Sequence, residues 1–220
     1  KVTATIKKVR EQNFNEGLMT YADKDNLHGY IGVDVAQTEL IRGEKEKVLD
    51  AFYSLLLHTT STHAGFEMCS ASSRDFGDNL TPHGCFAGKF LDLLRNMLVR
   101  EENNELHLFS CLPQAWIEEG ERISFLNAPT DFGVVSISMK ILQDGAELRI
   151  RSSWRKPPEK IVIYAPVGYR FPQGENIEVP PDTKWIKLIW KKERAVSLDY
   201  ETKVREYLEY RRKRKEGKGS

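Results

Sequence analysis

The chain has 220 residues, 40% of them hydrophobic and 30% charged, and a formal net charge of +1. That is enough apolar material for a packed core in one large domain or two small ones, and it argues against wholesale disorder. The near-neutral balance gives no electrostatic reason to expect a nucleic-acid or membrane-surface partner, and no apolar run approaches the roughly 20 residues of a bilayer span. The start, Lys1-Val2-Thr3-Ala4, does not read as a secretion signal, and the absent Met points to a trimmed or partial chain. Cys69, Cys85 and Cys111 show no CxxC spacing, so neither a disulfide framework nor a zinc site is expected. Reduced thiols fit a cytoplasmic location.

Residues 1–102 read as helical hairpin material. In "VDVAQTELIRGEKEKVLDAFYSLLLH", Val33 to His58, Gly43 divides two helical stretches, and Val48, Phe52, Leu55 and Leu56 recur at core-facing intervals. A polar connection follows, "HTTSTHAGFEMCSASSRDFGDNLTPHG", His58 to Gly84. It has no apolar period, and connections of that length inside a compact domain are usually functional or disordered. Thr81 and Pro82 have the chemistry of an N-cap and first helical position, and Phe86, Phe90, Leu93, Leu94, Met97 and Leu98 mark one face of a helix over 82–100.

From about residue 103 to 200 the period changes to alternation. In "GVVSISMKIL", Val135, Ile137, Met139 and Ile141 alternate with Ser136, Ser138 and Lys140, the pattern of a strand with one buried face. "LHLFSC", "RISFLN", "AELRIRS", "KIVIYAP" and "KWIKLIW" read as further strands separated by Gly and Pro turn signals. The expected fold class is α+β, with helical hairpins followed by an antiparallel β-sandwich. Residues 201–220 read as a short amphipathic helix dissolving into a basic tail.

The run "HGCFAGKFLDLLRNMLVREENNELHLFSCLPQAWIEEGERISFLNAPTDFGVVSISM" resembles the end of the six-hairpin glycosidases, nearest to the fucosidase-type families. There a last inner helix of an α/α toroid leads through a polar turn into a strand, an LP-x-x-W element and a small sandwich. Leu106 to Pro113, Trp116, Gly120 and "FGVVSISM" fill that pattern, and Trp116 supplies a large apolar anchor. About one hundred helical residues hold only part of six hairpins, so the resemblance is to the C-terminal portion of such an enzyme. It implies a carbohydrate ligand, no cofactor, and either the missing toroid region or self-association as partner. The chain alone is then expected to be inactive.

In such a toroid, the connections entering the inner helices line the sugar site. The resemblance thus makes Asp78 and Glu67 the candidate catalytic carboxylates, with His63, Arg74, Asp75, Asn79 and His83 as sugar-binding candidates. Sugars need carboxylates, amides and ring nitrogens for hydroxyls, and an aromatic surface for the ring's apolar face. Inverting hydrolysis needs an acid and base about 6.5–9.5 Å apart. Asp78-Asn79 is equally ordinary turn chemistry, Asp75 has Arg74 as a natural ion-pair partner, and Glu67 is either a loop acid or, between Phe66 and Met68, a proton donor in apolar company. His83 at a helix start suits the neutral form, because the helix dipole opposes positive charge there. No metal is expected, since the histidines lack metal-motif spacing. The alternative function is a noncatalytic carbohydrate- or protein-binding module that uses the sandwich surface.

Overall fold

The computed structural model describes residues 2–21, 24–76 and 81–198, together with 202, 204, 205, 209 and 212. Contacts divide the chain into two compact units, Lys1–Leu93 with Ser197–Ser220, and Leu94–Val196. The division falls inside a helix, upstream of the change in period near residue 103.

In chain order the first unit holds α1 (Val2–Asn13), β1 (Phe14–Asn15), β2 (Leu18–Met19), β3 (Asn26–His28), α2 (Gly29–Ile41), α3 (Lys45–Leu57), β4 (Met68–Ser70) and most of α4 (Gly84–Leu98). Gly43 sits at φ 73°, a left-handed conformation that ends α2 and lets α3 fold back against it. Val48, Phe52 and Leu55 of α3 are buried as their spacing predicts, whereas Leu56 is exposed. Aromatic rings tie α4 to its neighbours. Phe52 stacks on Phe90 at 5.3 Å, Phe90 on Phe86 at 5.6 Å, and Phe86 meets Phe66 of the polar connection at 5.4 Å. Each such pair adds about 0.5–1.5 kcal/mol beyond its burial. In the C-terminal segment Thr202, Val204, Arg205, Glu209 and Arg212 are helical.

The helix α4 begins at Gly84, two residues beyond Pro82, and the Thr81–Pro82 peptide bond is cis. His83 occupies the cap position instead, with the Phe86 amide donating to its Nδ1 at 3.3 Å. The far end of α4 stops at Leu98, and the residues expected to finish the helix open a strand. In the second unit β5 (Val99–Glu102) and β6 (Glu105–Leu108) form a tight hairpin whose turn residues, Asn103 and Asn104, both take positive φ, as that turn demands.

Then come β7 (Arg122–Thr130), β8 (Gly133–Leu142), β9 (Gly145–Trp154), β10 (Ile161–Tyr164), β11 (Tyr169–Arg170), β12 (Asn176–Val179), β13 (Trp185–Ile189) and β14 (Lys191–Lys192). One sheet has the order β12-β10-β6-β5 and another β13-β9-β8-β7, with β11 and β14 paired apart. Among the described residues all strand pairings are antiparallel except β6 with β10, which run parallel with Leu106 beside Ile161. The chain reaches β10 through β7, β8 and β9 rather than through a helix. A single apolar cluster draws Leu106, Leu108 and Ile163 from the first sheet and Val135, Ile137 and Leu148 from the second. Trp116, in a short 3-10 turn at Gln114–Trp116, is partly buried against this cluster.

Candidate functional site at the start of α4

The polar connection is not a free loop. Its first part turns at Thr60–Ala64, where the Thr60 amide donates to the Ala64 carbonyl at 3.1 Å and the Ala64 amide to Thr60 Oγ1 at 2.9 Å. Gly65 then passes against α4 so closely that a Cβ there would lie 1.9 Å from the Phe86 ring, and its carbonyl accepts the His83 amide at 3.1 Å. Glu67 comes next, its carbonyl accepting the Gly29 amide at 2.7 Å at the start of α2. β4 pairs with β3, setting Met68 opposite His28 and Cys69 opposite Leu27. The connection thereby delivers Glu67 to the place where the first turns of α2 and α4 begin.

His28, Tyr30, His83 and Lys89 gather there, beside Glu67 and Asp34. His28, only 7% exposed, lies edge-on to Tyr30 at 4.8 Å between ring centroids, and Tyr30 stacks on His83 at 5.3 Å. The Lys89 ammonium sits 5.2 Å from the Tyr30 ring centroid and is paired with Asp34. Burial pushes His28 below the ordinary histidine range, the Glu67 carboxylate opposes that fall, and His83 adds to it. Among the described residues His28 Nδ1 has no hydrogen-bond partner. A buried ring nitrogen left so costs about 1–3 kcal/mol. Since His83 accepts at Nδ1, a neutral ring carries its proton on Nε2 and can offer it as a donor.

A second polar cluster is closed. The hairpin β1–β2 turns at Glu16-Gly17, with φ 51° and 78°, and the Glu16 carboxylate receives both guanidinium nitrogens of Arg74 at 2.9 and 3.0 Å. His58 Nε2 lies 2.9 Å from the same carboxylate and also contacts Arg74. His58 Nδ1 donates to the Ser54 carbonyl at 2.8 Å. Burial alone would raise the Glu16 carboxyl, but hydrogen bonds and charge from His58 and Arg74 bring it down to about 2. Asp25 fastens the following turn, taking Ser70 Oγ at 2.7 Å and the Ser72 amide at 2.8 Å, and both contacts hold its carboxyl below the usual range. Burial pushes the Cys69 thiol up to about 11, too high for a nucleophile.

The sequence candidates therefore separate. Glu67 and His83 are brought to one place. Arg74 is turned into the Glu16 cluster, and Asp75 lines a small hollow of about 130 Å³ with Asn26, Ser70 and Phe76. His63 is exposed at the Thr60–Ala64 turn, its backbone at φ 59°. Asp78 and Asn79 lie outside the described residues. His28, Tyr30 and Glu16 were missed. A turn dipeptide marks Glu16-Gly17, and nothing local marks the other two. Among the described residues no group of three or more His, Cys, Asp or Glu is placed to hold a metal ion, and no helix is long and apolar enough to cross a membrane. No family model matches the chain, and no curated protein matches it significantly.

Proposed function

We propose that this chain is part of a carbohydrate-active, glycoside-hydrolase-like protein, in which the start of α4 forms one wall of the sugar site and the second unit is a structural β-sandwich. The observation that carries this reading is the buried, unpartnered His28 nitrogen beside Glu67 and the Tyr30–His83 stack. A saccharide asks for a carboxylate and ring nitrogens to meet its hydroxyls and a flat aromatic surface for its C–H face, and all three kinds of group meet here. The resemblance of "HGCFAGKFLDLLRNML" and "LHLFSCLP" to the last inner helix and following strand of the six-hairpin glycosidases points the same way.

In this reading Glu67 would serve as the acid of the wall or hold a sugar hydroxyl, and Asp78 is the proposed base. Glycoside hydrolysis needs two carboxyl groups flanking the scissile bond in a site closed to water. A single wall binds without preorganising both. The 220 residues alone are thus expected to bind sugars weakly and to turn over aryl glycosides at no enzymatic rate. Purified chain would be assayed against a panel of aryl glycosides, with its mass measured in solution. Robust turnover by a clean monomer would overturn the reading of one wall in a larger site.

A further inference from the structure

The outer face of the sheet β13-β9-β8-β7 has no role in the reading above, yet it carries a cavity of about 800 Å³. That is within the size range of small-ligand sites, about 300–1,000 Å³. Its floor follows from strand alternation. Val135, Ile137 and Met139 of β8 and Leu148 and Ile150 of β9 are buried on one side of the sheet, so Ser136, Ser138, Arg149 and Arg151 emerge on the other. The β8–β9 register sets Ser136 directly opposite Arg151, and Ser138 directly opposite Arg149. Two guanidinium groups two residues apart thus stand side by side, each with a hydroxyl neighbour. Lys184 adds a third positive charge to the rim and Asp182 a single negative one.

Among the described residues, Arg149, Arg151 and Lys184 form no ion pair, while the arginines at 74, 95, 100 and 170 are each paired with a carboxylate. Trp154 closes one end of the cavity, its indole N–H donating to the Pro181 carbonyl at 3.1 Å, which fixes the ring. Trp185 pairs across from Arg149 on β13 and is 52% exposed.

We propose that this cavity binds an acidic saccharide, one whose sugar units carry carboxylate or sulfate groups. Paired, unneutralised guanidinium groups match planar or tetrahedral oxyanions through two parallel hydrogen bonds. The interleaved serines suit sugar hydroxyls, and the exposed Trp185 opposite Arg149 gives a sugar ring an apolar face to lie on. A nucleic acid fits less well, since the chain's net charge is only +1 and three cations make a short track for a phosphate backbone. The site lies wholly within the second unit and does not rest on the proposed wall at α4.

The test is calorimetric titration of the whole chain with four probes: tetragalacturonate, a heparin-derived tetrasaccharide, maltotetraose and a short oligothymidylate, with sodium sulfate as an ion control. The same titrations on Arg149→Ala, Arg151→Ala and the double variant locate the site. Both arginines are exposed, so thermal melting should show the variants folded. At least one acidic saccharide should bind, weakening with added salt, and each single substitution should reduce affinity about tenfold. Preference for tetragalacturonate assigns carboxylate, and preference for the heparin fragment assigns sulfate. The proposal is overturned if neither acidic saccharide binds, if the double variant binds like the parent, or if sulfate ion alone competes as well as the saccharides. Tighter binding of oligothymidylate would likewise overturn it in favour of nucleic acid.

Discussion

The two polar clusters of the first unit draw on the same connection and are built in opposite ways. Around Glu16 the charges answer one another: two guanidinium nitrogens and an imidazole converge on one carboxylate, and His58 is anchored at its other nitrogen by Ser54. At the start of α4 a buried histidine keeps a free nitrogen, the acid beside it is half-buried, and the rings are stacked without being enclosed. The closed cluster reads as a clasp that fastens the connection to the hairpin β1–β2. Among the described residues the open one leaves a buried ring nitrogen without a partner, which is why the proposed binding wall is placed there. A count of charged residues in the sequence would have ranked Arg74 with Glu67. Their partners separate them.

Substitutions sharpen this contrast, and the largest effect belongs to the clasp. Glu16→Gln removes the carboxylate that Arg74, largely buried, holds with both terminal nitrogens, and the expected loss of stability is roughly 3 kcal/mol by chemical denaturation. Because the Glu16 carboxyl is depressed to about 2 from 4.5, its contribution is complete above about pH 4.5 and disappears as pH falls toward 2. The variant should lack that acid-limb dependence. A variant as stable as the parent would show the clasp to be ornamental.

Next in size is Gly29→Ala. The added Cβ would lie 2.4 Å from the Phe66 carbonyl oxygen, a backbone atom with little freedom to move. About 1–3 kcal/mol of destabilisation is expected, along with displacement of Glu67 and loss of sugar binding. Retained binding at full strength would separate the Glu67 segment from the site.

A smaller effect comes from pH. Burial holds His28 neutral, so the unfolded chain takes up a proton near 6.5 before the folded one does. Stability therefore falls as pH drops below about 6.5, by at most about 1.4 kcal/mol per pH unit. Burial and Arg100 push His107 in the same direction, so the comparison of parent with His28→Gln isolates His28. An identical slope in the two proteins would contradict the burial of a neutral ring. The least change in stability is expected for Glu67→Gln, within about 0.5 kcal/mol of the parent, while sugar affinity falls about tenfold.

How much of this could be read in the sequence depended on the range of the forces involved. Helices α3 and α4 and the strands β7, β8 and β9 announce themselves by period, because burial of one face repeats every 3.6 or 2 residues. The end of α4 did not, since "VREENNE" is polar in any conformation and only the paired left-handed Asn103 and Asn104 make it a hairpin. The parallel partnership of β6 with β10 joins Leu106 to Ile161, across the three intervening strands β7, β8 and β9. Of the residues gathered at the start of α4, Glu67 and His83 stand in the polar connection that its length singled out. His28 and Tyr30 were not legible, because they lie upstream on β3 and α2 and reach His83 only after the connection folds. Glu16 joins Arg74 across 58 positions, beyond any local pattern.

The central claim is that the His28–Tyr30–His83 wall with Glu67 receives a sugar, and the histidine rings can report it directly. Two-dimensional NMR of the ring resonances would follow titration with methyl glycosides of fucose, galactose, glucose, mannose and arabinose. The account predicts that at least one glycoside shifts the His28 and His83 signals saturably, leaves those of His58 in place, and loses its effect in Glu67→Gln. Signals of His28 and His83 that stay unmoved by every glycoside at concentrations on the order of tens of millimolar, well beyond a 1 mM dissociation constant, would contradict it.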